Sequence, residues 1–96
     1  MQERTVKITN RLGLHARAAA RLVRRAGQFK STVELRREDT GQTVDGKSIL
    51  GVLLLAAAQG STIRIRTEGP DEERAAAALI EMVQQKFGEE APDGLF

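Results

Sequence analysis

The architecture turns on the stretch Gly13-Leu14-His15-Ala16-Arg17-Ala18-Ala19-Ala20-Arg21-Leu22-Val23. Gly13 lets the chain turn, and an alanine-rich amphipathic segment begins directly after the single histidine. The spacing predicts a helix over Ala16 to Ala26, with Ala19, Leu22, Val23 and Ala26 on one stripe and Gly27 ending it as a C′ residue. An imidazole at a helix N-terminus faces backbone N–H groups and the positive end of the helix dipole. That tip suits an anion such as a phosphoryl group, and Arg17 stands within reach of its oxygens. A lone histidine is more often a surface or satisfied core residue. Its place before a helix and beside an arginine brings the functional reading level with that one.

Arg17, Arg21, Arg24 and Arg25 fall on the stripe opposite the apolar one, and no acidic residue occurs between positions 11 and 33. A solvated helix face is the ordinary explanation. The one-sided polarity favours a cationic docking surface.

Outward from this helix the chain alternates. Arg4 to Thr9 has period two, with Val6 and Ile8 inward, and is read as a strand. Ser31 to Arg37 is a second strand, with Val33 and Leu35 inward. Glu38-Asp39-Thr40-Gly41 is turn chemistry, and Gln42 to Val44 returns as a third strand. Thr62 to Thr67 is the fourth, with Ile63 and Ile65 inward and Arg64 and Arg66 outward. Asp71, Glu72 and Glu73 open a last helix whose buried stripe is Ala76, Leu79, Val83 and Phe87, and Gly88 ends it. Residues 1–88 form one domain, and 89–96, with Pro92 and Gly94, read as a loose tail.

Lys47 to Ala56 reads as a short helix with Ser48 near its N-terminus. Its apolar residues point almost all round. One face packs on the sheet, and Ile49, Leu50 and Leu53 are left at least partly exposed, which suggests a partner surface. A wholly buried helix, or a buried strand, is the alternative. Ser48 is either a plain helix cap or a phosphorylation site, and spacing alone favours the cap.

The element order is β-α-β-β-α-β-α. Four strands with one apolar face and three helices to cover it give an α+β open-faced sandwich with a mainly antiparallel sheet. With 96 residues this is one small domain. The absence of cysteine excludes disulfides and thiolate zinc sites, and one histidine makes an imidazole-rich metal site a poor expectation. No apolar run approaches the ~20 residues that span a bilayer. Arg4 and Lys7 interrupt the N-terminus, so no signal peptide is read there, and an intracellular, cytoplasmic protein is expected. A net charge of +2 and three scattered phenylalanines are poor material for binding nucleic acid.

Leu14-His15-Ala16-Arg17 with Ala19-Ala20 resembles the active-site motif of the HPr family, the histidine-containing phosphocarriers of the phosphoenolpyruvate-dependent sugar phosphotransferase system. Lys47-Ser48-Ile49-Leu50-Gly51-Val52 is similar to the family's regulatory-serine motif, and it follows His15 at close to the family spacing. The likeness runs from about residue 2 to 87. It implies that His15 accepts a phosphoryl group through Nδ1, that Arg17 assists, and that Ser48 is the site of an ATP-dependent HPr kinase/phosphorylase. It further implies a docking surface of Ile49, Leu50 and Leu53 with Lys47, rimmed by Arg21, Arg24 and Arg25. The implied partners are enzyme I and the enzyme II A domains of sugar permeases. The carrier is expected to be monomeric, not an enzyme in its own right, and to need no cofactor or metal. A regulatory paralogue that signals carbon or nitrogen status without feeding transport is the alternative. Three departures stand out: Ala18 replaces the usual proline, Leu12 replaces a small polar residue, and the Asp39–Gly41 hairpin is about two residues longer.

Overall fold

The alternating segments pair into one four-stranded sheet. The structure, a computed structural model, describes residues 1–89. Strands β1 (Gln2–Lys7), β2 (Thr32–Arg37), β3 (Thr43–Asp45) and β4 (Thr62–Glu68) are laid out in the order β1-β4-β2-β3. Every neighbouring pair is antiparallel. Helices α1 (Ala16–Ala26), α2 (Ile49–Leu55) and α3 (Glu72–Gln84) complete the order predicted from the pattern. β1 and β2 flank β4, so β1-α1-β2 is a crossover split by an inserted strand. β3-α2-β4 is a second one, split by β2. Each crossover needs the other's strand to close its sheet, which locks the two into one core.

Period two places Ile63, Ile65, Val33 and Leu35 on the covered face, and all four are buried. Leu22 of α1, Val52 and Leu55 of α2, and Leu79 and Val83 of α3 pack against them. The opposite face carries Arg64 and Arg66, which face Glu3 at 3.9 Å and Glu34 at 3.8 Å respectively. Residues whose apolar side alternates with charge therefore sort by face, as the sequence requires.

Some boundaries differ from expectation. Ile8 is fully buried but follows β1, its amide bonded to the Ser61 carbonyl at 2.8 Å. On α1, Ala18 is buried with Ala19, Leu22 and Ala26, while Val23 is only half-buried. Gly27 keeps a helical φ of −66°, so it is not a left-handed C′ residue. The chain goes on turning there, with Gln28 and Phe29 amides bonded to the Arg25 and Ala26 carbonyls. α3 stops at Gln84, and Phe87 reaches the core from a tight turn over Lys86–Gly88. That turn is left-handed, with φ of 57°, 55° and 75° at Lys86, Phe87 and Gly88. The expected tail lies outside the described residues apart from Glu89.

Two tertiary clamps join loops to helices. Ser31 donates its hydroxyl to Asp71 at 2.6 Å, and the Lys30 and Ser31 amides donate to the same carboxylate at 2.9 Å. The Arg37 guanidinium donates to the Leu55 and Ala56 carbonyls at 3.2 and 2.9 Å, and holds Asp39 through both carboxylate oxygens. It thus satisfies the open C-terminal end of α2.

Leu35→Ala is expected to lower the stability to urea by about 3 kcal/mol, since Leu35 has no exposed surface. Leu50→Ala, on the exposed side of α2, should stay within about 0.5 kcal/mol. Hydrogen bonds from Ser31 and the Lys30 amide hold the Asp71 carboxyl down at about 2, against an ordinary 3.8. A depressed carboxylate stabilises the fold above its unfolded value and loses that contribution as pH falls through the folded one. The urea midpoint should therefore drop as pH falls from about 4 to about 2. Asp71→Asn should flatten the profile in that window.

Candidate functional site

Asn10 closes the loop that delivers His15. Its carbonyl accepts from the Gly13 amide at 3.1 Å, and its side-chain amide donates to the Gly13 carbonyl at 2.8 Å. Gly13 has φ of 65°, and a Cβ there would lie 2.6 Å from the Ala57 carbonyl oxygen, so both conformation and space demand glycine. Leu14 anchors the loop in the core, and its amide donates to the same Ala57 carbonyl at 2.9 Å. The backbone on either side of His15 is thereby fixed.

His15 is itself the N-cap of α1. Its backbone is extended, its carbonyl accepts from the Ala19 amide at 2.8 Å, and its Nδ1 accepts from the Arg17 amide at 3.3 Å. Serine and aspartate cap helices through the amide two residues on, and the imidazole takes that place here. Because Nδ1 accepts, it carries the lone pair and Nε2 carries the proton. Nε2 faces the Glu89 carboxylate. The His15 side chain is 27% exposed, in an open cleft lined by Leu12, His15, Ala16, Arg17 and Glu89. The ring is accessible without being loose.

The first turn of α1 holds no acidic residue, so the dipole and the exposed Arg17 present positive charge on the Nδ1 side of the ring, opposite the Glu89 carboxylate. A nucleophilic nitrogen, a helix amide aimed at it and a guanidinium in the same first turn can accept a phosphoryl group and disperse its charge. Among the described residues no group of three His, Cys, Asp or Glu side chains is placed to hold a metal ion.

The other residues singled out from the sequence fall into two sets. Ile49, Leu50 and Leu53 of α2 are exposed as expected, and Leu54, which the pattern did not single out, is exposed with them. Arg24 is exposed, whereas Arg25 lies over the Phe29 ring and donates to Gln28. Arg21 donates to the Phe87 carbonyl, and Lys47 donates to the Phe29 carbonyl at 2.8 Å. These two cations brace the fold as well as charging its surface. Ser48 caps α2, its hydroxyl accepting from the Gly51 amide at 3.1 Å.

The Lys47–Phe29 contact joins the start of α2 to the end of α1, and the Leu14–Ala57 bond joins the end of α2 to the start of α1. The two helices therefore run antiparallel, and Ser48 and His15 lie at opposite ends of the pair. The 11 residues of α1 separate those ends by about 16 Å. The exposed leucines of α2 lie along the line between them.

Two contributors to the site were not legible as such. Asn10 reads only as a turn residue and Glu89 only as the start of a tail. No motif spans the 79 positions between them, yet the Asn10 amide donates to Glu89 at 2.9 Å.

The family described as "PTS HPr component phosphorylation site" matches residues 2–85. The phosphocarrier protein HPr of Cupriavidus necator is 49% identical over 89 residues, covering 93% of this chain and 98% of its own. The HPr of Treponema pallidum is 43% identical over 90 residues, covering 94% of this chain and all of its own. Among solved structures, HPr-C-His from Thermoanaerobacter tengcongensis superposes with a TM-score of 0.88 at 41% identity, over 95% of this chain and 100% of that one. The Bacillus subtilis catabolite repression protein Crh, a swapped dimer, gives a TM-score of 0.70 at 35% identity, over 90% of this chain and 97% of that one. A family match across nearly the whole chain, on the fold and the motif already described, leaves one conclusion: this chain belongs to the HPr family of phosphocarrier proteins of the phosphotransferase system.

Proposed function

We propose that the chain accepts a phosphoryl group from phospho-enzyme I on Nδ1 of His15 and passes it to the A domains of sugar permeases. The observation that carries this reading is the state of Nδ1. It accepts from the Arg17 amide at the tip of α1, on an imidazole that is partly exposed. Its lone pair forms the N–P bond, and the electron pair of the breaking bond leaves with the donor. The phosphoryl oxygens then take the place of the lone pair in front of the Arg17 amide, so the helix stays capped. Arg17 pairs with the added charge. On transfer the N–P electrons return to Nδ1, and the ring leaves as neutral imidazole.

Ile49, Leu50 and Leu53 form the apolar centre of the docking surface, with Arg21, Arg24 and Lys47 around it. An interface that must serve donor and acceptors in turn needs fast, weak association, which charge steering supplies. Ser48 is the site for the ATP-dependent kinase. A phosphate on Ser48 would place about two negative charges at the edge of the exposed α2 face. The likeness to Crh, a catabolite repression protein, favours a second reading, in which phosphorylation of Ser48 or His15 signals carbon or nitrogen status without feeding transport.

With phosphoenolpyruvate and enzyme I, the protein is expected to gain an acid-labile phosphate that His15→Ala does not gain. Arg17→Ala should slow labelling about 100-fold. Labelling that survives His15→Ala removes the site assignment. With ATP and the kinase, Ser48→Ala should lose an acid-stable phosphate. Ser48 labelling without any transfer from phospho-His15 to permease A domains would establish the second reading.

A further inference from the structure

The Glu89 carboxylate lies against the one imidazole of the chain, on the ring nitrogen that the phosphoryl transfer leaves free. Its side chain is only 12% exposed. A carboxylate that far out of water, one residue beyond the last turn of the fold, needs fixed partners. It has two: Nε2 of His15 donates to Oε2, and the Asn10 side-chain amide donates to Oε1 at 2.9 Å. Asn10 is itself fully buried, and its two amide hydrogens go to the Gly13 carbonyl and to Glu89. Both acceptors are oxygens, which fixes the amide orientation, and Asn10 Oδ1 is left buried without a partner. A buried polar group that forgoes one bond so that its nitrogen faces a carboxylate marks that contact as decisive for the loop.

The backbone tells the same story independently. Lys86 and Phe87 both adopt left-handed φ values, a conformation that strains non-glycine residues. The strained turn is held at its centre. The Phe87 ring is buried and the Phe87 carbonyl accepts from Arg21. Arg21 lies one helical turn beyond Arg17 on the same side of α1. The chain thus doubles back along α1 toward its tip, and the next described residues deliver Glu89 to His15. Ending α3 and running freely into solvent would need none of this.

We propose that Glu89 is a positioning residue for phosphoryl transfer, and that Asn10 holds it in place. The inference rests on His15 being the phosphoryl acceptor. Glu89 accepts the Nε2 proton, which leaves the lone pair on Nδ1, at the face where the Arg17 amide waits. When Nδ1 forms its bond to phosphorus and the donor departs with the electron pair of the broken bond, the Nε2 proton stays on the ring. The ring then carries positive charge directly opposite the Glu89 carboxylate. On the return step the same proton remains on Nε2, and the departing imidazole is neutral. No proton has to be found or released at either step. Glu89 touches neither phosphoryl group nor partner in this scheme; it acts through the imidazole.

The test uses the full chain with Glu89→Ala and Glu89→Gln. Nitrogen-15 NMR of the neutral imidazole reads the tautomer directly. The unsubstituted protein should show the Nε2–H tautomer in excess, and Glu89→Ala should move the population toward the Nδ1–H form. Labelling by phosphoenolpyruvate and enzyme I should fall about tenfold in kcat for Glu89→Ala, with KM for the carrier unchanged. Glu89→Gln keeps one acceptor oxygen and should recover part of both readouts. Asn10→Ala should show the same tautomer shift. A folded Glu89→Ala with unchanged tautomer population overturns the proposal, whatever its rate. A rise in KM alone also overturns it, by making Glu89 a docking residue. If His15→Ala still labels, the acceptor assignment fails instead, and the tautomer measurement separates that failure from this one.

Discussion

A hydrogen bond from the Arg17 amide to Nδ1 of His15 fixes the tip of α1, on which the proposed chemistry depends. It does two things at once. It caps α1, which otherwise has no side-chain acceptor for its first amides. It also turns Nδ1, the nitrogen proposed to take the phosphoryl group, toward the helix tip. A serine cap would serve the helix equally well but would offer no nitrogen nucleophile. One side chain thus serves the helix and, in the proposed function, the chemistry, and the loop before it is fixed. Gly13 gives the loop its left-handed turn, Leu14 pins it in the core, and Asn10 closes it.

The split crossovers explain why so small a chain can hold that geometry. β4 lies between the strands that α1 joins, and β2 lies between those that α2 joins. Neither helix can shift without disturbing a strand that belongs to the other unit. Ala18 and Ala19 are both buried with no exposed surface, so α1 packs closely by its alanines. Ala18, at the position where the resemblance leads one to expect proline, is thus a core contact.

Cations also carry more of the fold than their pattern suggests. Arg21, Arg37 and Lys47 each donate to backbone carbonyls left open at a helix end or turn. Arg37 closes the C-terminus of α2, and Lys47 links the end of the α1 turn to the cap of α2. Such contacts tie exposed leucines and the Ser48 cap to a rigid frame. Ile49, Leu50, Leu53 and Leu54 can then face water without the helix fraying, because Val52 and Leu55 hold it from beneath.

Much of this was written locally in the chain. Alternation of period two marked the strands and their inward residues, since successive side chains on a strand must face opposite ways. Helical spacing marked α1, and Gly13-Leu14-His15 marked the turn into it. Ser48 near the start of an apolar run marked the cap of α2. These features depend on neighbours a few residues apart, so sequence alone determined them. The contact of Glu89 with His15 and Asn10, the left-handed turn that delivers it, and the cations braced on distant carbonyls were decided only by tertiary structure. Each joins residues far apart in the chain. No period or motif encodes such a meeting, because it exists only once the sheet has fixed where the two segments lie.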